Sequence, residues 1–358
     1  MILAIDVGGT KMAAALVAPD GAVRRTRRLA TPQEADAETL WKTLLTLIEP
    51  YDGFSGVGVG CGGPMDWPSG EVSPLNIPGW RAFPLGERLA ARFPGKPVRV
   101  HNDAICLAVA EHWKGHGRGR ANMLGMVVST GVGGGLILGD RLVNGGTGNA
   151  GHIGHVIVEP GGSPCGCGGH GCLEAVARGP ALVAWAQGQG WTPSRAEGAD
   201  GASAEQAEQT EEADRAEQAE EADGAEQADG ADGAEQAEGA DGAAGAYRED
   251  REATGQMLAA DARRGDPIAR AALARAGHAL GLAIASATHL CDLDVVTIGG
   301  GLAQSGALLF GPLERTLREH ARMDFARRLS VVPALLGQEA GLVGAAALLL
   351  GGDRYWAA

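Results

Sequence analysis

Two glycine loops, an Asn-Asp pair and a cluster of three cysteines with a histidine are the places in this chain where residue type and spacing suggest chemistry. The first loop is Asp6-Val7-Gly8-Gly9-Thr10-Lys11, between two apolar runs. Consecutive small residues let backbone N–H groups approach phosphate oxygens, and Thr10 and Lys11 add side-chain donors. Asp6, at the end of its run, can hold Mg2+ through water. An ordinary glycine hairpin would read the same, and the Gly-Lys-Ser/Thr ending of a Walker loop is missing. The second loop, from Ser129 through Thr130, Gly131, Gly133 and Gly134 to Gly135, repeats that chemistry. Two such loops fit a nucleotide held between two halves of a molecule.

Asn102-Asp103 sits at the carboxyl end of an expected parallel strand, where open α/β sheets place ligands. An Asp there can take a proton from a substrate hydroxyl while the Asn orients it. Asp103 also immediately precedes a helix, so an N-cap explains it about as well. The third constellation is His155 with Cys165, Cys167 and Cys172, which matches a closed, structural Cys3His zinc site. Cys61, Cys106 and Cys291 read as small core residues. Late in the chain, Val295 to Leu302 is a strand running through Gly299 and Gly300 into a helix. It is either a cradle for a nucleotide's adenosine or a plain turn.

The elements that must carry these residues follow from periodicity. Met1 to Ile5 and Met12 to Val17 are buried strands flanking the first loop, Pro19-Asp20-Gly21 is a hairpin turn, and Val23 to Leu29 is a third strand. Leu40, Leu44, Leu47 and Ile48 mark one face of an amphipathic helix. A strand over 56–60, a Gly/Pro loop over 61–80, a helix over 85–93, a strand over 98–101 and a helix over 104–114 complete the first half. Met123 to Ser129 and Leu136 to Leu138 restart the pattern, with later strands over 294–298 and 329–335. Two β-loop-β starts, each followed by alternating helices and strands, indicate a duplicated α/β unit that meets near 103–122.

Composition narrows the class. With 45% apolar residues the chain can bury a core, and its 58 glycines follow no Gly-X-Y period. The net charge of −14 argues against a nucleic-acid partner. Most of it lies in one low-complexity insertion, 196–246, with 17 acidic residues against the single base Arg215. That run, built from Ala, Glu, Gln, Asp and Gly, reads as a solvated insertion. The start reads as strand rather than signal peptide, and the late apolar run Val343 to Leu350 is too short for a bilayer. A cytoplasmic protein with no membrane partner is the expectation.

Four blocks give the sequence a family likeness: Asp6 to Lys11, Leu75 to Trp80 with Asn76, Asn102-Asp103-Ala104, and Gly145 to Glu174. Together with Gly299 to Leu302 and Ala340 to Ala345, they resemble the ROK family, within the hexokinase/actin-like ATPase superfamily. The resemblance covers nearly everything outside 196–246. It implies a two-lobed ribonuclease-H-like α/β fold with ligands in the cleft. One lobe would be 1–103, joined by the last helix within 341–358; the other would be 104–340, including the zinc loop 151–174.

The resemblance further implies that Asp103 is the general base for a sugar 6-hydroxyl attacking the γ-phosphate of ATP. Mg2+ and the two loops would stabilise charge, with Asp6, Gly8, Gly9, Thr10, Lys11, Thr130, Gly131, Gly133, Gly134, Gly299 and Gly300 on the nucleotide. Asn76 would lie on the sugar side, and Asn102, His155 and Glu174 would bond sugar hydroxyls, His155 also ligating zinc. Where sugar kinases of the family read Gly-Glu-x-Gly-His, this chain reads Gly151-His152-Ile153-Gly154-His155. A neutral His accepts one hydrogen bond where a carboxylate accepts several. His152 therefore bears on which sugar is bound, unless it bonds the same hydroxyls. A glucokinase-like hexose kinase is the expectation, with an N-acetylmannosamine or N-acetylglucosamine kinase as the alternative and a silent sugar sensor as the third reading. Homo-oligomers, dimers or tetramers, are usual among relatives. Repressors of the family carry a DNA-binding domain ahead of the first loop, for which no room is expected here.

Overall fold

The computed structural model describes residues 1–194 and 253–356. Met1–Thr192 and Thr254–Ala358 form one compact unit. The remaining stretch lies almost wholly outside the described residues, and with it the acidic run 196–246.

Strands β1 (Ile2–Val7), β2 (Lys11–Val17) and β3 (Val23–Ala30) come first, then helix α1 (Ala37–Ile48) and strand β4 (Val57–Cys61). A small hairpin, β5 (Met65–Asp66) and β6 (Glu71–Val72), precedes α2 (Leu85–Arg92), β7 (Val98–Asn102) and α3 (Asp103–Trp113). Next come β8 (Met123–Val128), β9 (Val132–Leu138), β10 (Arg141–Leu142), α4 (Leu173–Ala177) and α5 (Gly179–Gly188). The chain ends with α6 (Gly255–Arg264), α7 (Pro267–Cys291), β11 (Val295–Gly299), α8 (Ala307–His320), α9 (Asp324–Arg327), β12 (Ser330–Pro333), α10 (Ala340–Leu350) and α11 (Asp353–Trp356).

Two five-stranded sheets result, in the orders β3-β2-β1-β4-β7 and β10-β9-β8-β11-β12. In each, the opening strand pairs antiparallel with the next and parallel with a later one, so the duplication read from the sequence is present as matching topology. β1 and β4 are buried on both faces, which is why they read as unbroken runs of small and apolar residues. The Pro19–Gly21 turn closes through a bond from the Gly21 N–H to the Ala18 carbonyl (2.9 Å). α1 buries Leu40, Leu44, Leu47 and Ile48, as their spacing predicts, and Asp36 caps it by accepting from the Thr39 N–H (2.7 Å). Each such side chain contributes about 1.5–3 kcal/mol by leaving water.

α3 and α10 pack on each other, α10 also on β1 and β4, and α3 also on β8 and β9. Only residues without side chains permit this approach. A Cβ on Gly58 of β4 would lie 2.0 Å from the Ala345 carbonyl oxygen, and one on Gly344 would lie 1.8 Å from that of Cys106. Much of the glycine content therefore serves helix packing rather than turns.

Two readings change. The second glycine loop is shorter than its sequence suggests: Ser129–Gly131 make the turn, whereas Gly133, Gly134 and Gly135 lie inside β9. β9 faces the first turns of α3, and a Cβ on Gly133 would stand 2.7 Å from Ala104 Cβ. After β11 the chain makes a short 3-10 turn, Gly301–Ser305, before α8 begins. Among the described residues one helix, α7, is long and apolar enough to cross a bilayer by length and composition, and the late run in α10 is shorter. α7 has a mean hydropathy of 1.2, and 61% of its most apolar stretch is buried. Gly277 and Gly281 let α8 lie directly on it.

Candidate active site

The residues singled out by type and spacing converge on the carboxyl ends of the parallel strands. Asp6 is the penultimate residue of β1, Asn102 the last of β7, and both strands pair with β4. Asn102 rather than Asp103 caps α3, its Oδ1 accepting from the Ala104 N–H at 3.0 Å. Asp103 is the first helical residue; its Oδ1 also accepts from Ala104 N–H, at 2.7 Å. The capping role thus falls one residue earlier than the sequence suggests. Burial raises the pKa of Asp103. Asp6 is pushed up to about 7, first by burial and then by the charge of Asp103, with Lys11 pulling the other way.

The first glycine turn is held from behind. Thr31 Oγ1 donates to the Gly8 carbonyl (2.7 Å), Gln33 Nε2 to that of Gly9 (2.8 Å), and the Thr31 N–H to that of Thr10 (3.0 Å). With its carbonyls taken, the turn presents its N–H side to an incoming anion. Lys11 is exposed, its Nζ 3.4 Å from Gln338 Oε1. In the second turn the Val132 N–H donates to Glu174 Oε2 (2.9 Å), which places this carboxylate beside Gly131. Gly300, with φ +92°, crosses over Val128, so the turn after β11 abuts the Ser129–Gly131 turn that includes Thr130.

The residues expected on the sugar side include two stacked histidines. The His152 and His155 rings stack with centroids 5.1 Å apart. Burial, then the neighbouring His155, holds His152 below its usual pKa, while Glu174 acts the other way. A Cβ on Gly63 would lie 2.6 Å from Asn102 Nδ2 and 3.7 Å from His152 Cε1, so this glycine separates the two side chains. Asn76 packs on Gly9 and Gly62 of the first half.

His155, Cys165, Cys167 and Cys172 present donor atoms all within 4.8 Å of one another. The His155 Nδ1 to Cys165 Sγ and Cys167 Sγ to Cys172 Sγ separations are both 3.7 Å. A tetrahedron with metal–sulfur bonds of about 2.3 Å has edges of about this length. Nδ1 is the nitrogen of His155 that faces the cysteines. Burial pushes Cys172 up to about 12, whereas the Gly169 N–H lowers Cys167.

Sequence reasoning missed the residues that hold these loops. Arg81 Nη1 donates to the carbonyls of Pro74 (2.7 Å), Ile77 (3.1 Å) and Trp80 (2.7 Å), clamping the loop that bears Asn76. The fully buried Glu111 of α3 accepts from the N–H groups of Leu335 (2.8 Å), Leu336 (2.9 Å) and His116 (3.1 Å). Its place on a buried helix face, where a charge costs energy unless bonded, was the available signal.

The ROK family model matches residues 2–351. The chain belongs to the ROK family. A glucokinase of Thermotoga maritima is 30% identical over 353 residues, 97% of this chain and 96% of that protein. An N-acetylmannosamine kinase of Shigella flexneri is 41% identical over 190 residues, 52% of this chain and 65% of that protein. Among solved structures, a ROK family glucokinase from Streptomyces griseus in complex with glucose and AMPPNP is 30% identical. It covers 97% of this chain and 98% of its own, with a TM-score of 0.71. The two-lobed actin/hexokinase-like fold expected from the motifs is that of these ROK neighbours.

Proposed function

We propose that this ROK protein transfers the γ-phosphoryl group of ATP to the 6-hydroxyl of a hexose, as a glucokinase does. The observation that carries the reading is the position of Asp103. Its carboxylate is anchored through Oδ1 at the start of α3 and lies close enough to Asp6 for their charges to interact, and the preceding Asn102 faces His152 across Gly63. The full-length likeness to a glucokinase and to a structure holding glucose with AMPPNP supports it.

In the reaction, Asp103 takes the proton of the sugar hydroxyl as that oxygen bonds to the γ-phosphorus and the bond to the departing ADP oxygen breaks. Its raised pKa makes it a stronger proton acceptor than an exposed carboxylate. Asn102 is fixed as a cap, so its Nδ2 is free to hold the sugar. Glu174 accepts from the Val132 N–H and shares the flank with the two histidines, linking the second turn to the sugar side. The N–H groups of Gly9 and Thr10, with Lys11, in a turn that Gly8 closes by donating its own N–H to the Lys11 carbonyl (3.0 Å), and the turns at Thr130, Gly131, Gly299 and Gly300 would receive the phosphates and nucleotide; Gly133 and Gly134 would serve by bringing β9 onto α3. Asp6, beside Asp103, would hold through water a magnesium ion bound with the nucleotide, which would supply positive charge against the phosphates. Zinc fits the four donors by their separations, and its role there is to hold the His155 ring in place.

The same proposal places 1–103 and 104–340 as the lobes of the cleft, closed by the last helix within 341–358. It also includes a cytoplasmic, homo-oligomeric enzyme without nucleic-acid or membrane partners. Six free cysteines suit a reducing compartment.

A second reading, an N-acetylmannosamine kinase, is favoured by the 41% identity over half the chain. ADP release measured with ATP and Mg2+ over glucose, mannose, fructose, N-acetylglucosamine and N-acetylmannosamine decides. Highest kcat/KM on glucose supports the first reading and on N-acetylmannosamine the second. No turnover on any sugar overturns both.

A further inference from the structure

We propose that His101 is a positioning residue that, through Asn144, sets the spacing between the proton-accepting Asp103 and the sugar-binding pair His152 and His155. The inference rests on the hexose-kinase reading above. His101 is the residue before Asn102 at the end of β7 and is fully buried (0% exposed) where an apolar side chain would cost less. Its Nδ1 accepts from the Asn102 N–H at 2.9 Å, which leaves the ring proton on Nε2. Nε2 therefore donates to Asn144 Oδ1, 3.0 Å away and also buried.

Asn144 follows β10 and opens the loop that leads to His152. Its carbonyl accepts from the Ala150 N–H (3.2 Å), so it closes the loop on itself just before Gly151. The other end of that loop is tied to the first half, where Asn149 Nδ2 donates to the Met65 carbonyl (2.9 Å). On its outer side His101 meets Trp356 of α11 edge to face, with centroids 6.1 Å apart. The imidazole thus bonds with one nitrogen to the segment carrying the base and with the other to the segment carrying the sugar ligands. Neither nitrogen is free to act on substrate. What it contributes is the relative placement of two groups that must engage one sugar together.

Two pairs of variants separate this role from simple packing. Asn at 101 places its Oδ1 near the position of Nδ1 and loses the donor to Asn144; Gln at 101 does the reverse. In steady-state kinetics His101→Asn and Asn144→Ala are each expected to raise the sugar KM about tenfold, with the ATP KM little changed. His101→Gln and Asn144→Asp, which keep a donor facing an acceptor, recover most of that loss. The double variant His101→Asn with Asn144→Ala loses less than the product of the two single losses, because the bond between the two side chains is common to both changes. Amide exchange over 145–155 speeds up in the first pair only, and this readout does not depend on turnover.

An unchanged sugar KM and unchanged exchange in folded His101→Asn and Asn144→Ala would overturn the proposal. So would a Gln variant as impaired as the Asn variant, or losses that multiply in the double change. Absence of turnover by the wild-type chain on every hexose would instead refute the kinase reading, and the exchange data would still decide whether His101 and Asn144 hold the loop.

Discussion

The charge of Asp103, at the start of α3, raises the pKa of Asp6, two strands away at the end of β1. With burial as the larger cause, Asp6 moves from 3.8 to about 7. Asp6 binds its proton more tightly folded than unfolded. Its contribution to stability is full below its unfolded value and is lost as pH rises through about 7. Melting temperature of the ligand-free protein should therefore fall between about pH 4 and pH 8 more steeply than that of Asp6→Asn. Equal slopes for the two proteins would mean that this crowding is absent.

Gly133 tests whether β9 positions α3. A Cβ there meets Ala104 Cβ at 2.7 Å, next to Asp103, whereas a Cβ on Gly188 meets nothing within 4 Å. Gly133→Ala is expected to fold and to lose on the order of tenfold or more in kcat, because displacements of about 1 Å at a reacting group are costly. Gly188→Ala serves as the control and should match the wild type. Equal kinetics for both variants would show that the close approach has no bearing on the base.

Replacing a cysteine ligand should act through His155. Cys167→Ser, at an exposed corner of the four-residue cluster, is expected to lower bound zinc measured by elemental analysis. Sugar KM should rise about tenfold with the ATP KM unchanged, the usual cost of disturbing a ligand-orienting shell. Metal retained at full occupancy, or a rise in the ATP KM instead, would contradict the role given to the cluster.

In the proposed reaction His152 bears on the choice of sugar. Restoring a carboxylate with His152→Glu gives the flank an acceptor for several hydroxyls, so kcat/KM on glucose should increase relative to N-acetylmannosamine. An unchanged ratio would place specificity elsewhere, with Asn76 and its Arg81-clamped loop the next residues to change.

The sheets were legible because β1, β4 and β8 are buried on both faces and so read as unbroken apolar runs. Helix α1 was legible from Leu40, Leu44, Leu47 and Ile48 on one face. Asp103, His155 and the three cysteines were legible by type and spacing. The role of Gly133 to Gly135 was not, since a glycine run looks alike whether it makes a turn or clears space for a helix. The difference depends on α3, whose contacts with β9 are fixed only in the folded chain. His101 and Asn144 lie 43 residues apart, and neither belongs to a motif, so only tertiary structure pairs them. The run 196–246, though legible as composition, lies outside the described residues.

The central claim, that Asp103 accepts the hydroxyl proton in phosphoryl transfer, is tested most directly by ADP release from the wild type and Asp103→Asn on the best sugar of the panel. The account predicts turnover that falls by about 10²–10⁴-fold in Asp103→Asn, with sugar and nucleotide binding retained by calorimetry. An Asp103→Asn protein that turns over like the wild type would contradict it.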